Sequence, residues 1–336
     1  MSGSSSPPVQ AQATLSQFAA KVLDQLSLSA WFPAFLFAST LTLLIQFRSQ
    51  ESVSLKMALD AITDDWKQFL LLALPALILA TVLTQAFSYG AIRVCEGYWN
   101  RILPFGWLRS PMIRWQRRKL RRLVNRREAA AQHAFAAVRG QLLQTYSCAL
   151  VSALEVQAVG GTVPRLEGED ARIYGLTSWR ATCKPWDLAR VDRFDRERED
   201  YPTRAGRLMP TKLGNVQRAY EDGLKNAGDD LIGFAMNKRE LAPPMVQMQH
   251  DHFRQRLDMY CTLVFVSLTC AGLAVALLAK QVPNSSPWTI VVIAAGFAAL
   301  SIACYASAVA AARGYGATLR VMDAAAGNAL SDGGPH

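Results

Sequence analysis

The residues able to do chemistry in this chain are few and scattered. His250-Asp251-His252 is the one histidine cluster. Two histidines at i and i+2 of a helix point about 200° apart, whereas a metal held on a helix needs ligands three or four positions apart. The pair therefore reads as surface histidines. Glu221-Asp222 and Asp229-Asp230 are adjacent acids, which diverge on a helix and mark no pocket. No phosphate-cradling G-x-x-x-x-G-K-[ST], dinucleotide G-x-G-x-x-G after a strand, nucleophile G-x-S-x-G or zinc-binding H-E-x-x-H occurs in the sequence. The sequence names no catalytic residue, no metal ligand and no cofactor.

Pro210–Asn226, PTKLGNVQRAYEDGLKN, is more specific. Thr211 is placed to cap a helix on which Leu213, Val216, Tyr220 and Leu224 share a stripe, with Gly228 as the expected stop. Gly214 in the first turn lets a backbone or a phosphate approach closely, and the free N–H groups there favour an anion. Lys212 and Arg218 add positive charge. Thr211, Lys212, Gly214, Asn215 and Arg218 are thus candidate contacts for a ligand or partner. The competing explanation is a capped helix whose glycine packs against the base of a membrane span.

The same stretch resembles a family of uncharacterised bacterial integral membrane proteins. The resemblance lies in Pro210-Thr211-x-Leu213-Gly214-Asn215, followed by Arg218-Ala219 and Glu221-Asp222, a cytoplasmic PTxLGN motif ahead of a closing helical hairpin. Arg256-Leu257-Asp258 also fits, and the likeness covers roughly residues 201–278. The family's Tyr-Gly-hydrophobic-Asp and Trp-Pro-Arg steps are replaced here by NAGDDLIGFAM at 226–236. The resemblance implies bacterial origin and a membrane address, and brings no reaction with it.

The other chemically loaded stretch is RWQRRKLRRLVNRR at 114–127. Eleven Lys and Arg lie between Arg93 and Arg127, against Glu96 alone. Basic residues close to a membrane span stay on the cytoplasmic side, because carrying them across the bilayer is costly. Arg114, Arg117, Arg118, Lys119, Arg121 and Arg122 are expected to contact anionic lipid head groups, each contributing roughly 1 kcal/mol near the surface. A nucleic-acid arm, suggested by Trp115 within the run, is the weaker alternative.

These residues must be positioned by four long apolar segments, expected at Leu28–Phe47, Phe69–Ile92, Met259–Ala279 and Trp288–Ala312, each near the 20 residues needed to cross a bilayer. With two spans on either side of the basic loop, both termini are expected on the cytoplasmic side. Thr14–Ser27 reads as an interfacial amphipathic helix and Ser54–Trp66 as a helix on the outer surface. From Ser110-Pro111 a single amphipathic helix is expected to run to about Gln157, ended by Gly160-Gly161. Residues 158–209, including the charge run DRFDRERED at 192–200, read as a linker with a strand or two over Val163–Leu176. The tail from Arg313 reads as frayed.

The fold class expected is all-α: a polytopic membrane protein with four transmembrane helices in two hairpins and a largely helical cytoplasmic domain. Its divisions are a tail and interfacial helix (1–27), a first hairpin (28–92), the cytoplasmic domain (93–258), a second hairpin (259–312) and a tail (313–336). The net charge of +10 resides in that cytoplasmic part. Six cysteines without a C-x-x-C pair, placed in spans or on the reducing side, read as structural thiols. Met1–Gln12 carries no secretory signal.

The spans carry no Asp, Glu, Lys, Arg or His between their ends, which argues against an ion-coupled transporter. A ridge of Ala295, Ala299, Ala303, Ser307 and Ala311 suits close packing against the third span or a second copy. Thr81, Thr84, Gln85 and Ser88 either line a polar path or bond back to their own helix. The function expected is a non-enzymatic interaction or scaffold component of the bacterial inner membrane. An oligomeric pore or membrane-perturbing effector gated by the cytoplasmic domain is the first alternative, and a membrane-tethered enzyme the second. The partners expected are anionic lipids, with an unlike protein or further copies of the chain beside them.

Overall fold

The computed structural model describes residues 28–49, 66–99, 106–224, 231–279 and 287–332. The expected tail, the interfacial helix at 14–27, most of the outer-surface helix at 54–66 and Gly228 lie outside the described residues. In chain order the helices are α1 (Leu28–Ser49), α2 (Trp66–Glu96), α3 (Gly106–Thr145), α4 (Cys148–Val159), α5 (Gly168–Tyr174), α6 (Trp179–Thr182), α7 (Pro185–Arg198), α8 (Lys212–Gly223), α9 (Leu231–Arg239), α10 (Pro244–Leu278) and α11 (Pro287–Asp332). No strand occurs among the described residues. The chain divides into one unit made of residues 1–98 and 232–336, and a second, Trp99–Leu231.

In the first unit three helices are long and apolar enough to cross a membrane, at Pro75–Glu96, Pro244–Leu278 and Pro287–Ala326. The apolar part described for α1, Trp31–Phe47, is shorter. Ile78, Leu79, Val82, Leu83 and Phe87 of α2 and Trp288, Val291, Val292 and Ile302 of α11 stand exposed. An apolar surface of that extent is foreign to water-soluble proteins and natural against hydrocarbon. Leu44 and Phe47 near the end of α1 pack with Ala274 and Leu278 near the end of α10 and with Ile290 at the start of α11. Those three helix ends therefore meet.

α10 and α11 run antiparallel. Ser301 donates from its hydroxyl to the Val264 carbonyl at 3.1 Å, the rings of His250 and Tyr315 lie 4.8 Å apart, and Gly314 abuts the Phe253 ring. The pair is longer than a bilayer requires: 35 and 46 residues, about 52 and 69 Å at 1.5 Å per residue, against a hydrocarbon core of about 30 Å. The excess is a two-helix stalk. Tyr315, Leu319, Met322 and Ala326 are buried within it, so the segment after Arg313 is ordered helix rather than the expected frayed tail. Packing against α10 offsets the low helix propensity of Gly314 and Gly316, and the alanines of the segment favour helix in any case.

In the second unit the expected single helix over 111–157 is two. α3 stops at Thr145, and Ser147 takes an extended conformation, accepting from the Leu150 N–H at 3.2 Å and donating to Asp170 Oδ2 at 2.7 Å. α4 then packs Leu150, Val151, Leu154 and Ala158 against Ala131, Ala134, Phe135, Val138 and Leu142 of α3. The apolar period runs through both helices because each needs the same stripe to face the other, so the period alone does not reveal the reversal. Gly160, at φ 82°, ends α4 in the left-handed conformation that glycine adopts without strain. α3 also starts earlier than the expected Ser110 cap, at Gly106, with Pro111 inside it.

Residues 158–209 are likewise helical rather than a linker with strands. α5 occupies the middle half of the region expected as strand, and α7 takes up the charge run as far as Arg198. Val191 and Trp179 are buried in the α3–α4 core, Trp179 meeting Phe135 edge-on at 6.0 Å. Asp195 of α7 accepts from Arg127 Nε at 3.0 Å, and Arg127 also reaches the Ala158 carbonyl that ends α4. The buried Val191 and the Arg127–Asp195 ion pair turn a strongly charged segment into a docked helix. α8 ends at Gly223, ahead of the expected stop.

Candidate functional site

The PTKLGN segment is a clamped turn leading into α8. Thr211 Oγ1 accepts from the Gly214 N–H at 3.1 Å, the expected N-cap. Asn215, fully buried, reaches back: its Oδ1 accepts from the Met209 N–H at 2.8 Å, and its Nδ2 donates to the carbonyls of Met209 at 3.1 Å and Thr211 at 2.9 Å. Gln116 of α3 donates to the Pro210 carbonyl at 3.4 Å and accepts from the Tyr201 hydroxyl at 3.3 Å. Gly214 is buried too. Of the five candidate contacts, Thr211, Gly214 and Asn215 therefore build the turn.

Arg218 joins an ion network, pairing with Glu221, which also takes Arg207. Arg207 pairs in addition with Asp222, whose Oδ2 accepts from the N–H and hydroxyl of Thr203, both at 2.8 Å. Burial by itself would push the Asp222 carboxyl up. The Thr203 hydrogen bonds and the Arg207 guanidinium outweigh it and hold the group below the ordinary carboxylate range.

Lys212 is different. It is half exposed, its Nζ 3.5 Å from the buried carboxylate of Asp200, and it lines a concavity of about 420 Å³ whose opposite wall is α3. That wall carries Arg118, Lys119, Arg122 and Arg126, with Trp115 at the edge. Positions 118, 122 and 126 recur every four residues and so share one side of the helix. Lys119 sits over the Trp115 ring at 5.4 Å. Leu123 and Tyr201 are buried in the floor, and Glu197 and Asp200 are the two acids present.

The acids are already engaged, Asp200 with Lys212 and Glu197 with Arg193 at 3.2 Å. Arg118, Arg122 and Arg126, by contrast, make no ion pair or hydrogen bond among the described residues. The cleft is therefore positive and fits an anion. Tyr201 is not an acid–base group at neutral pH: burial first, then the Asp200 and Glu197 carboxylates, push its phenol up to about 12. It serves as a donor to Gln116.

All six residues expected at lipid head groups, Arg114, Arg117, Arg118, Lys119, Arg121 and Arg122, are exposed. Among the described residues none of the six has an ion-pair partner. Only Arg118, Lys119 and Arg122 enter the cleft. Arg126, Asp200, Tyr201 and Gln116 were not singled out by sequence. The four-residue recurrence of Arg118, Arg122 and Arg126 is the signal that would have added Arg126. Nothing in the sequence brings Asp200 or Tyr201 to α3.

The remaining candidates are taken up by packing. His250 is buried beside Tyr315 while His252 is exposed, so the two diverge as their spacing requires. Thr81, Thr84 and Ser88 donate to the carbonyls of Leu77, Thr81 and Gln85 on their own helix, at 2.7, 3.0 and 2.7 Å. Ala295, Ala299 and Ala303 stand exposed, so the small-residue ridge does not pack against α10 along those positions. No protein-family model, curated protein or solved structure matches the chain.

Proposed function

We propose that this protein is a non-enzymatic interaction component of a bacterial inner membrane, holding a basic helical unit at the cytoplasmic face. α1 is taken as a fourth span. It packs beside α10 through Leu44 and Phe47, and its 22 residues span about 33 Å at 1.5 Å per residue. With four spans and the basic run placed inside, the Trp99–Leu231 unit and both termini are cytoplasmic.

The observation that carries the proposal is the state of the cations on α3. Arg114, Arg117, Arg118, Arg121 and Arg122 are exposed and have no ion-pair partner among the described residues, so their charge is available to an anionic partner or bilayer surface. Thr211, Asn215, Arg218, Glu221 and Asp222 are occupied in capping, clamping and ion pairing, which suits a structural turn better than a catalytic one. The pore alternative draws less support, since the hydroxyls of α2 bond back to their own helix.

The test is native mass spectrometry of the full-length protein extracted in mild detergent from its own host. The expected result is a complex with a stoichiometric unlike partner or retained anionic lipid, released when Arg114, Arg117 and Arg121 are all changed to Gln. A closed ring of identical subunits that conducts ions in liposomes would overturn the proposal.

A further inference from the structure

We infer that the concavity between α3 and the Asp200–Lys212 pair is a binding site for a phosphoryl group, presented either by a soluble phosphate ester or by a lipid head group. The inference goes beyond the interaction role above and does not depend on it, because it concerns a ligand site within one unit and can be tested in solution.

Three features carry it. The first is uncompensated charge in a concave place. Among the described residues Arg118, Arg122 and Arg126 face the cleft without an ion-pair or hydrogen-bond partner, whereas Asp200 and Glu197 are each held by another cation. Positive groups gathered in a recess focus the field on whatever anion enters it.

The second is donor geometry. At 1.5 Å per residue the row from 118 to 126 is about 12 Å long, and Lys212 reaches in from across it. Guanidinium forks bind phosphoryl oxygens in pairs, while a lysine supplies a point charge that follows the ligand. The Asp200 carboxylate, 7% exposed, holds the Lys212 ammonium at the cleft, 3.5 Å away.

The third is size. About 420 Å³ falls within the range of small-molecule pockets, roughly 300–1,000 Å³, and is ample for a phosphate ester or a phospholipid head group. Trp115, half exposed at the rim and already carrying Lys119 on its face, adds an amphipathic edge of the kind that sits at head-group level.

The experiment is isothermal titration of full-length protein in a neutral detergent in two arms, one with inorganic pyrophosphate and one with mixed micelles containing phosphatidic acid or, as control, phosphatidylcholine. Saturable binding is expected in at least one arm, the arm identifying the source of the phosphoryl group. Arg118→Gln/Arg122→Gln is expected to weaken it at least tenfold, and Arg126→Gln alone by a smaller factor. Arg165→Gln/Arg172→Gln removes the same charge from exposed positions of the same unit outside the cleft, and should leave affinity within twofold. All the substituted positions are exposed, so the fold is retained, which circular dichroism checks. No binding in either arm, or equal weakening by both double variants, would overturn the inference.

Discussion

Asn215 holds both backbone groups of Met209, accepting from its N–H at 2.8 Å and donating to its carbonyl at 3.1 Å. One side chain thereby satisfies a buried peptide that has left regular structure and ties the approach to α8 to the first turn of α8. Asn215→Ala leaves those groups without partners. A loss of about 3 kcal/mol in the stability of the Trp99–Leu231 unit is expected, from three hydrogen bonds and the desolvated groups left behind. Asn215→Asp is expected to be at least as damaging, because its carboxylate faces the carbonyls of Met209 and Thr211. Chemical denaturation in detergent, with hydrogen exchange over 208–216, measures both.

Arg127 couples α3 to two other elements through Asp195 and the Ala158 carbonyl. Both members of the ion pair are partly solvated, so screening limits its strength. A double-mutant cycle of Arg127→Gln and Asp195→Asn should give a coupling of about 1 kcal/mol. Arg127→Gln alone should cost more than Asp195→Asn, since it also strips the carbonyl at the end of α4. A coupling near zero would show that the Ala158 contact carries the effect.

The phenol of Tyr201, raised to about 12, predicts an alkaline limb. The folded state favours the neutral phenol, so this contribution is fully present below the unfolded value of about 10 and is lost as pH rises toward about 12. Tyr201→Phe should flatten that limb. At neutral pH it should cost about 1 kcal/mol, because Gln116 Oε1 loses its donor. Unfolding midpoints between pH 7 and 11 check both statements.

Asp222 gives the opposite limb. Its carboxyl is held below the ordinary range, so its contribution is present above the unfolded value of about 4 and is lost as pH falls through the folded value. Asp222→Asn should lower stability at neutral pH and leave a shallower acid limb than the parent protein. An unchanged acid limb would show that Arg207 and Thr203 do not favour the ionised form.

Gly314 meets the Phe253 ring so closely that an added Cβ would clash with the ring carbons. Gly314→Ala is expected to destabilise the α10–α11 stalk by about 1–3 kcal/mol through overpacking. Phe253→Leu in the same chain should recover part of the loss. Thermal unfolding of both variants in detergent tests the contact.

The clamp at Asn215 marks where sequence reading stops. The Thr211 cap and the buried positions of Leu213, Val216 and Leu224 were legible, because capping and helical stripes are local and depend on residues three or four apart. The role of Asn215 was not, since it required knowing that residues 209–211 turn back onto it. Gln116 and Tyr201, 85 positions apart, carry no local signal at all.

The sequence by itself determined that the chain is helical, that it has long apolar helices suited to a membrane, and that its charge is concentrated in a basic run. Each of these depends on composition and period, which survive without tertiary contacts. Only the tertiary structure decided that α3 reverses into α4 at Ser147, that the charged stretch at 192–200 docks through Val191 and Asp195, and that Lys212 faces Arg118 and Arg122 across a cleft. An apolar period is the same whether a helix continues or folds back on itself, and a charged residue reads as solvated until its partner is brought to it by the fold.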